Sequence, residues 1–429
     1  MMRPPLLPLY RVATRLAAPL AAGYLAARAA RAKEDPARRG ERFGRASLAR
    51  PEGPLVWLHG ASIGESLVLL PLVERLIARG LNALVTTGTT SSAAVLADRL
   101  PAGALHQFAP LDAPQFVDRF LGHWRPELLV LSESELWPNI IGAMKRRGAP
   151  IAVVNARMSP RSYRRWRRAP RAAQSLLQEI DVCIAQSQAD AARLLRLGAP
   201  RVQVAGNLKF DAPAPPADHA ELGALAGETG ARPVWVAAST HAGEEDACLA
   251  AHSALARRFS DLLTIVVPRD ARRGAAIAAR AAALGLASGL RSAGARPDPS
   301  IQVYVADTFG EMGLWYRLAN VVFVGNSLKG GRGQNPIEPI RLGGAVLHGP
   351  SVEAFADAYE ALDACGGALC VRDAAALATA LEGVLTDAAA LRAMARAGQS
   401  AVEEMTGATE RVLQALEPYI VHLKFGERA

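Results

Sequence analysis

The 429-residue chain is short of cysteine, of lysine and of long uncharged apolar runs, and each shortage removes a class of answer. Its four cysteines, Cys183, Cys248, Cys365 and Cys370, form no CxxC pair and stand beside no histidines. Neither a zinc site nor a disulfide framework is indicated, and a reducing compartment is expected. HExxH, GxxxxGK[ST] and a GxGxxG following a strand are missing, which argues against zinc-protease and ATP-type phosphate-loop chemistry. The longest uncharged run near the amino terminus, residues 16–27, is too short to span about 30 Å of hydrocarbon. Low-complexity stretches are few and half the residues are apolar, so a largely disordered chain is excluded.

What is present is basic. Forty-nine Lys and Arg against 40 Asp and Glu give a net charge of +9, which points to nucleic acid, an acidic membrane surface or a phosphorylated substrate. Only Lys33, Lys145, Lys209, Lys329 and Lys424 are lysines, a bias that codon usage in an alanine-rich chain also produces. Residues 157–171, RMSPRSYRRWRRAPR, set arginines around Tyr163 and Trp166. That run suits nucleic acid, anionic lipid or a phosphorylated glycolipid, and equally a plain solvated helix face.

In the first 32 residues, Leu6, Leu9, Ala13, Leu16, Leu20 and Tyr24 recur at helical spacing, with Arg11 and Arg15 opposite. The pattern predicts a membrane-associated segment, an amphipathic helix lying in the interface, with a kink or break at Pro8 or Pro19. An ordinary helix packed on the domain gives the same periodicity. The basic stretch that follows does not resemble a processing site.

Beyond residue 50, short apolar runs alternate with helical stretches: PLVWLHG, NALVTTG, ELLVLSESE, PIAVVNAR, DVCIAQS and VQVAG read as strands. The proline-rich stretch at 211–220 breaks the pattern, which restarts with PVWVAAST, LLTIVVPR, IQVYVAD, VVFVGNS and GAVLHGP. The expected fold class is α/β, two Rossmann-like doubly wound domains facing across a cleft, at residues 33–212 and 213–429. In such sheets ligands bind beyond the carboxyl ends of the strands, so those ends are where chemistry is sought.

Glu65, in HGASIGE after the first strand, is a carboxylate suited to removing a proton from an attacking hydroxyl, though Ser62-x-x-Glu65 also fits a capping box. Gly60-Ala61-Ser62-Ile63-Gly64 matches a nucleophile elbow, which leaves a serine hydrolase built on Ser62 as a rival. Glu133 directly follows a buried strand and is a candidate for a role in the cleft, whereas Ser132-x-x-Glu135 reads as a cap and Glu135 as structural. Lys209 stands near the domain junction, placed to meet a carboxylate or phosphate, or to pair with Asp211. In the second domain, Arg269 after Pro268 suits a phosphate. Thr308 to Glu311 reads as a capping box opening a helix, and Asn335-Pro336 as a cap and first helical residue after a glycine-rich loop.

The segments HGASIGE, PLVERL, VTTGTTSS, PLDAPQFVDRFL, ESELWPN, NARMS, AQSQAD, LGA, GNLKFD, VWVAASTHAGEE, VPRD, DTFGEMG, FVGNSL and GQNPIEP occur in that order. Together they resemble the 3-deoxy-D-manno-octulosonic acid (Kdo) transferases of lipopolysaccharide assembly, from about residue 40 to near the end. The resemblance implies a GT-B glycosyltransferase fold and transfer of Kdo from CMP-Kdo to a hydroxyl of the lipid A precursor lipid IVA, at the cytoplasmic face of the inner membrane. It makes Glu65 the general base, and Glu133 and Lys209 the residues that stabilise the transition state. Pro268, Arg269, Phe309, Gly310, Glu311, Asn335, Pro336, Ile337 and Glu338 match the family's CMP-binding segments. It implies no cofactor, no metal and no nucleic-acid partner, which agrees with the lack of an Asp-x-Asp motif. The chain departs from the family in lacking a histidine after Pro268-Arg269 and in having Gln334 where many members have histidine. Its amino-terminal anchor is also less hydrophobic than a clear membrane span. Alternatives are a GT-B transferase using another nucleotide sugar, the serine hydrolase, and a basic nucleic-acid-binding protein.

Overall fold

The computed structural model describes residues 6–31 and 34–425. Residues 1–5 and 32 of the expected membrane segment, Lys33, and residues 426–429 lie outside the described residues. The chain forms two units, divided between Ala212 and Pro213, and the first unit takes the chain back from Thr406 onward.

The first unit holds seven parallel strands: β1 (Leu55–His59), β2 (Asn82–Thr87), β3 (Ala104–Phe108), β4 (Leu128–Ser132), β5 (Ile151–Ala156), β6 (Val182–Ala185) and β7 (Val202–Val204). Their spatial order is β3-β2-β1-β4-β5-β6-β7, so the winding reverses between β1 and β4. All residues of β1 and β4 are buried, as expected of strands covered on both faces. The helix Ile63–Ala78 shows how the crossovers are built. Ser62 caps its start in extended conformation, Val68, Leu69, Leu72, Val73 and Leu76 are buried, and Gly80 at φ 78° follows its end. That apolar stripe joins Val56, Leu58 and Val130 in one cluster, each side chain contributing about 1.5–3 kcal/mol by burial.

The second unit repeats the architecture with β8 (Val234–Thr240), β9 (Leu263–Pro268), β10 (Ser288–Leu290), β11 (Val303–Val305), β12 (Val321–Val324), β13 (Ala345–His348) and β14 (Ala368–Cys370). The order is β10-β11-β9-β8-β12-β13-β14, again all parallel, with the reversal between β8 and β12. Both units are therefore Rossmann-like and doubly wound, the GT-B expectation.

Two expectations are corrected here. The strands β3, β10 and β14 were not anticipated, and all three are sheet edges, where one flank lacks a partner and no continuous apolar run is required. The second domain does not extend to the carboxyl terminus. The helix Ala408–Phe425 packs Val412, Leu413, Leu416, Ile420 and Leu423 into the apolar cluster of the first sheet. Asp211 caps it, accepting the Gly407 N–H at 2.8 Å as well as the Thr409 N–H. A proline-rich break reveals where a chain leaves a domain and carries no signal of its return.

The amino-terminal segment is a helix Leu6–Ala17, a 3₁₀ turn Ala18–Leu20 and a helix Ala21–Ala29. The break falls at Pro19, while Pro8 sits in a first turn that needs no intrahelical donor. Ala18, Ala21 and Leu25 are buried, and Leu7 packs against the core of the first unit. Leu9, Val12, Leu16, Leu20 and Tyr24 remain exposed, Leu16 and Leu20 at 74 %. The helix is thus seated on the domain and turns an apolar face away from it. Among the described residues no single helix is long and apolar enough to cross a membrane.

Candidate functional site

In the first unit the reversal between β1 and β4 brings two chain segments together at their carboxyl ends. Gly60 follows β1 with no room for a side chain, since a Cβ there would stand 2.8 Å from the Glu65 backbone carbon. The chain turns tightly into the helix at Ser62. Ser62 Oγ accepts the Glu65 N–H at 3.3 Å and donates to Glu65 Oε1 at 2.9 Å, while Glu65 Oε2 accepts the Ala61 N–H at 2.8 Å. The capping contact is real, and both oxygens keep a lone pair. Burial, and then the charges of Glu135 and Glu133, hold the Glu65 pKa above the usual carboxylate value, against the bonds from Ser62 and Ala61. The Ser62 hydroxyl is engaged by a carboxylate and, among the described residues, shows no hydrogen bond to an imidazole, unlike a hydrolase nucleophile.

Glu133 follows β4 with φ at 55°, a left-handed conformation that costs a non-glycine residue about 1–3 kcal/mol. Its Oε1 lies 2.7 Å from Lys209 Nζ, an ion pair without aligned hydrogen-bond geometry. Lys209 reaches it from the 3₁₀ turn Leu208–Asp211. Asn155 in β5, another left-handed residue at φ 49°, fixes that turn, its Oδ1 accepting the Leu208 N–H at 3.0 Å. Asp211 is occupied as a helix cap, so it is not the partner of Lys209.

The reading of Glu135 as a cap is overturned. No helix starts at Ser132, whose buried Oγ has no hydrogen-bond partner, and the next helix is Pro138–Arg146. Glu135 Oε2 instead accepts the Trp137 indole N–H at 2.8 Å and lies 3.6 Å from Nε2 of buried His59. The other His59 nitrogen meets the Thr86 hydroxyl at 2.9 Å. Burial opposes ionisation of Glu135, but His59 and Trp137 outweigh it and hold its pKa below the usual value. Three carboxylates, one ammonium and one imidazole therefore converge at one sheet's switch point.

The second unit's switch point is organised differently. Gly325 after β12 admits no Cβ, which would approach the Ser239 carbonyl to 2.7 Å. Glu244, buried, binds both sides together: its two oxygens accept N–H bonds from His241, Asn326, Ser327 and Leu328 at 2.7–2.9 Å. Ser239 and Asn326 there have φ values of 54° and 58°. Arg269 follows Pro268 at the end of β9 and is exposed. The Glu338 carboxyl is raised by burial, against the Asn335 bond (3.2 Å) and the charge of Arg269, so these three residues form one group.

The helix runs Ile337–Arg341, so Pro336 takes the capping position expected of Asn335, and Asn335, one residue further out, accepts the Ile337 N–H through Oδ1 at 3.0 Å. The predicted capping box at Thr308 is also corrected. The helix begins at Met312, and Glu311 is bound to Thr308 and, at 2.6 Å, to Arg291, which also holds Glu221. Arg291, then Thr308, outweigh burial to hold Glu311 below the usual carboxylate value. Beside it Phe309 is 81 % exposed and Gly310 has φ 84°.

In the basic run, Tyr163 and Trp166 pack against the first unit's core, while Arg161, Arg164, Arg165, Arg167, Arg168 and Arg171 are exposed. Sequence reasoning missed His59, Glu135 and Asn155 in the first unit and Glu244 in the second. Their only signal was membership of HGASIGE, ESELWPN, NARMS and THAGEE.

The family described as 3-deoxy-D-manno-octulosonic-acid transferase (kdotransferase) matches residues 37–212. The chain is 39% identical to a 3-deoxy-D-manno-octulosonic acid transferase of Bordetella pertussis, over 88% of this chain and 91% of that protein. It is 31% identical to the transferase of the same name in Haemophilus influenzae, over 93% and 94%. The structure of a UDP-GlcNAc 2-epimerase from Neisseria meningitidis matches at TM-score 0.60 and 12% identity, covering 85% of this chain and all of that one, a likeness of fold. By its sequence across nearly its whole length, the chain belongs to the 3-deoxy-D-manno-octulosonic acid transferase family.

Proposed function

We propose that the protein transfers Kdo from CMP-Kdo to a hydroxyl of lipid IVA by a single inverting displacement that needs no metal. The observation that carries this reading is the set of charges at the first switch point, in a chain of this family. Glu65 takes the proton of the acceptor hydroxyl as its oxygen attacks the anomeric carbon, and CMP leaves with the bonding pair. The raised pKa of Glu65 makes it a stronger base than an ordinary carboxylate. The ammonium of Lys209, held by Glu133, supplies positive charge where negative charge grows in the transition state. The leaving phosphate gains one negative charge, which the exposed Arg269 guanidinium suits. Asn335 and Glu338 beside it supply polar contacts for the rest of the nucleotide.

The outward apolar face of the amino-terminal helix supports a place at the cytoplasmic face of the inner membrane, with Arg11 and Arg15 at the headgroups. Mass analysis of lipid IVA incubated with CMP-Kdo and the protein tests the reading. A mass increase of one or more Kdo residues, with release of CMP and undiminished by EDTA, is expected. No product from CMP-Kdo, or transfer from another nucleotide sugar in its place, overturns it.

A further inference from the structure

The amino-terminal helix makes a contact that membrane attachment alone does not require. Tyr10 turns inward, and its hydroxyl donates to Asp112 Oδ2 at 3.1 Å. Asp112 is nearly buried, in a loop 102 residues further along the chain. The same carboxylate caps the helix Pro138–Arg146 from outside it. Oδ2 accepts the Asn139 N–H at 3.1 Å and Oδ1 the Ile140 N–H at 2.9 Å. That helix has no cap from its own sequence, because Trp137 occupies the capping position without a side-chain bond. Asn139 closes the circle. Its Nδ2 donates to the Asp112 carbonyl at 2.7 Å and to Thr14 Oγ1, on the amino-terminal helix, at 2.9 Å.

The capped end carries the candidate site. Two residues before Asn139, the Trp137 indole N–H holds Glu135, which faces His59 and whose charge acts on Glu65. We propose that Tyr10 and Asp112 are positioning residues, a latch through which the amino-terminal helix sets the geometry of the segment Glu133–Trp137. The latch rests on the reading of that segment as part of the transferase site. Tyr10 and Thr14 lie on the inward side of the helix, and Leu9, Leu16 and Leu20 on the outward side. One short helix thus carries both the apolar face proposed for the membrane and the bonds that order the site. Without Tyr10, Asp112 loses one of three donors, and a carboxyl already raised to about 6 by burial holds the helix end less firmly.

The test uses the full-length protein in detergent micelles with lipid IVA and CMP-Kdo. Tyr10→Phe removes only the hydroxyl, and Asp112→Asn keeps one acceptor oxygen while placing an amide against backbone donors. For both variants kcat should fall, by about threefold to tenfold for Tyr10→Phe and more for Asp112→Asn, with KM for CMP-Kdo unchanged. Hydrogen exchange at the Asn139 and Ile140 amides should quicken in step. Should Asp112→Asn fail to fold, Thr14→Val perturbs the same end through Asn139 and serves in its place. Native kcat and native exchange in Tyr10→Phe overturn the latch, as does a lowered melting temperature with kcat unchanged. If the native protein transfers no Kdo, the functional reading fails, and the exchange measurement still decides whether the helix is latched.

Discussion

The two switch points share a topology and differ in what occupies them. In the first unit the strand ends present side-chain charge: Glu65, Glu133, Glu135 and Lys209, with His59 beneath them. In the second, the buried carboxylate of Glu244 is consumed in tying backbone amides together, leaving Arg269 as an exposed cation at a neighbouring strand end. A carboxylate whose pKa is raised by burial and by its neighbours' charges suits proton transfer, and a braced backbone beside a cation suits holding a phosphate. On the proposed reading the first unit carries the chemistry and the second holds the nucleotide, and each half of that reading can be broken separately.

The largest effect is expected at Glu65. Glu65→Gln keeps an oxygen for the Ala61 N–H and removes the base, so turnover should fall by about 10²–10⁴-fold with CMP affinity preserved. Native turnover in that variant would reduce Glu65 to a helix cap. Next come Lys209→Met and Glu133→Gln, each expected to lower kcat by about tenfold to a hundredfold. Their double variant should lose far less than the product of the two, because the pair acts as a unit; full additivity would separate them. In the second unit, Arg269→Ala should weaken CMP binding by about tenfold in a titration and change kcat little. A collapse of kcat with native CMP affinity would move Arg269 into the chemistry.

The smallest effect is the sharpest. As the proposed base Glu65 must work ionised, and its pKa is raised, so the acid limb of the rate should lie at higher pH than an ordinary carboxylate would give. Glu135→Gln removes the neighbouring charge and should move that acid limb to lower pH. An unmoved limb would mean that Glu135 does not act on the base.

Strand–helix alternation was legible because buried parallel strands are written as continuous apolar runs. Edge strands such as β10 and β14 are not, and three-residue segments carry no period. Glu65, Glu133 and Lys209 were legible as residues directly after strands or beside a break. Glu135 was misread because Ser/Thr-x-x-Glu marks a helix start only where a helix starts, and at Ser132 and Thr308 none does. His59 and Glu135 meet because β1 and β4 are neighbours, a fact of sheet order that no local window contains. Asn155 and Glu244 were invisible for the same reason, since each binds amides brought near by the sheet.

The return of the chain at Thr406 has a consequence for synthesis. A ribosome delivers the whole of the second unit before the helix Ala408–Phe425 that completes the first. Until then the first sheet's apolar cluster lacks Val412, Leu413, Leu416 and Ile420, and hydrophobic surface stays open while about half the protein is still being made. The second unit, continuous in sequence, can close on its own schedule. The nascent first unit must wait, so a premature stop shortly before residue 408 would release a chain with one finished half and one that invites aggregation.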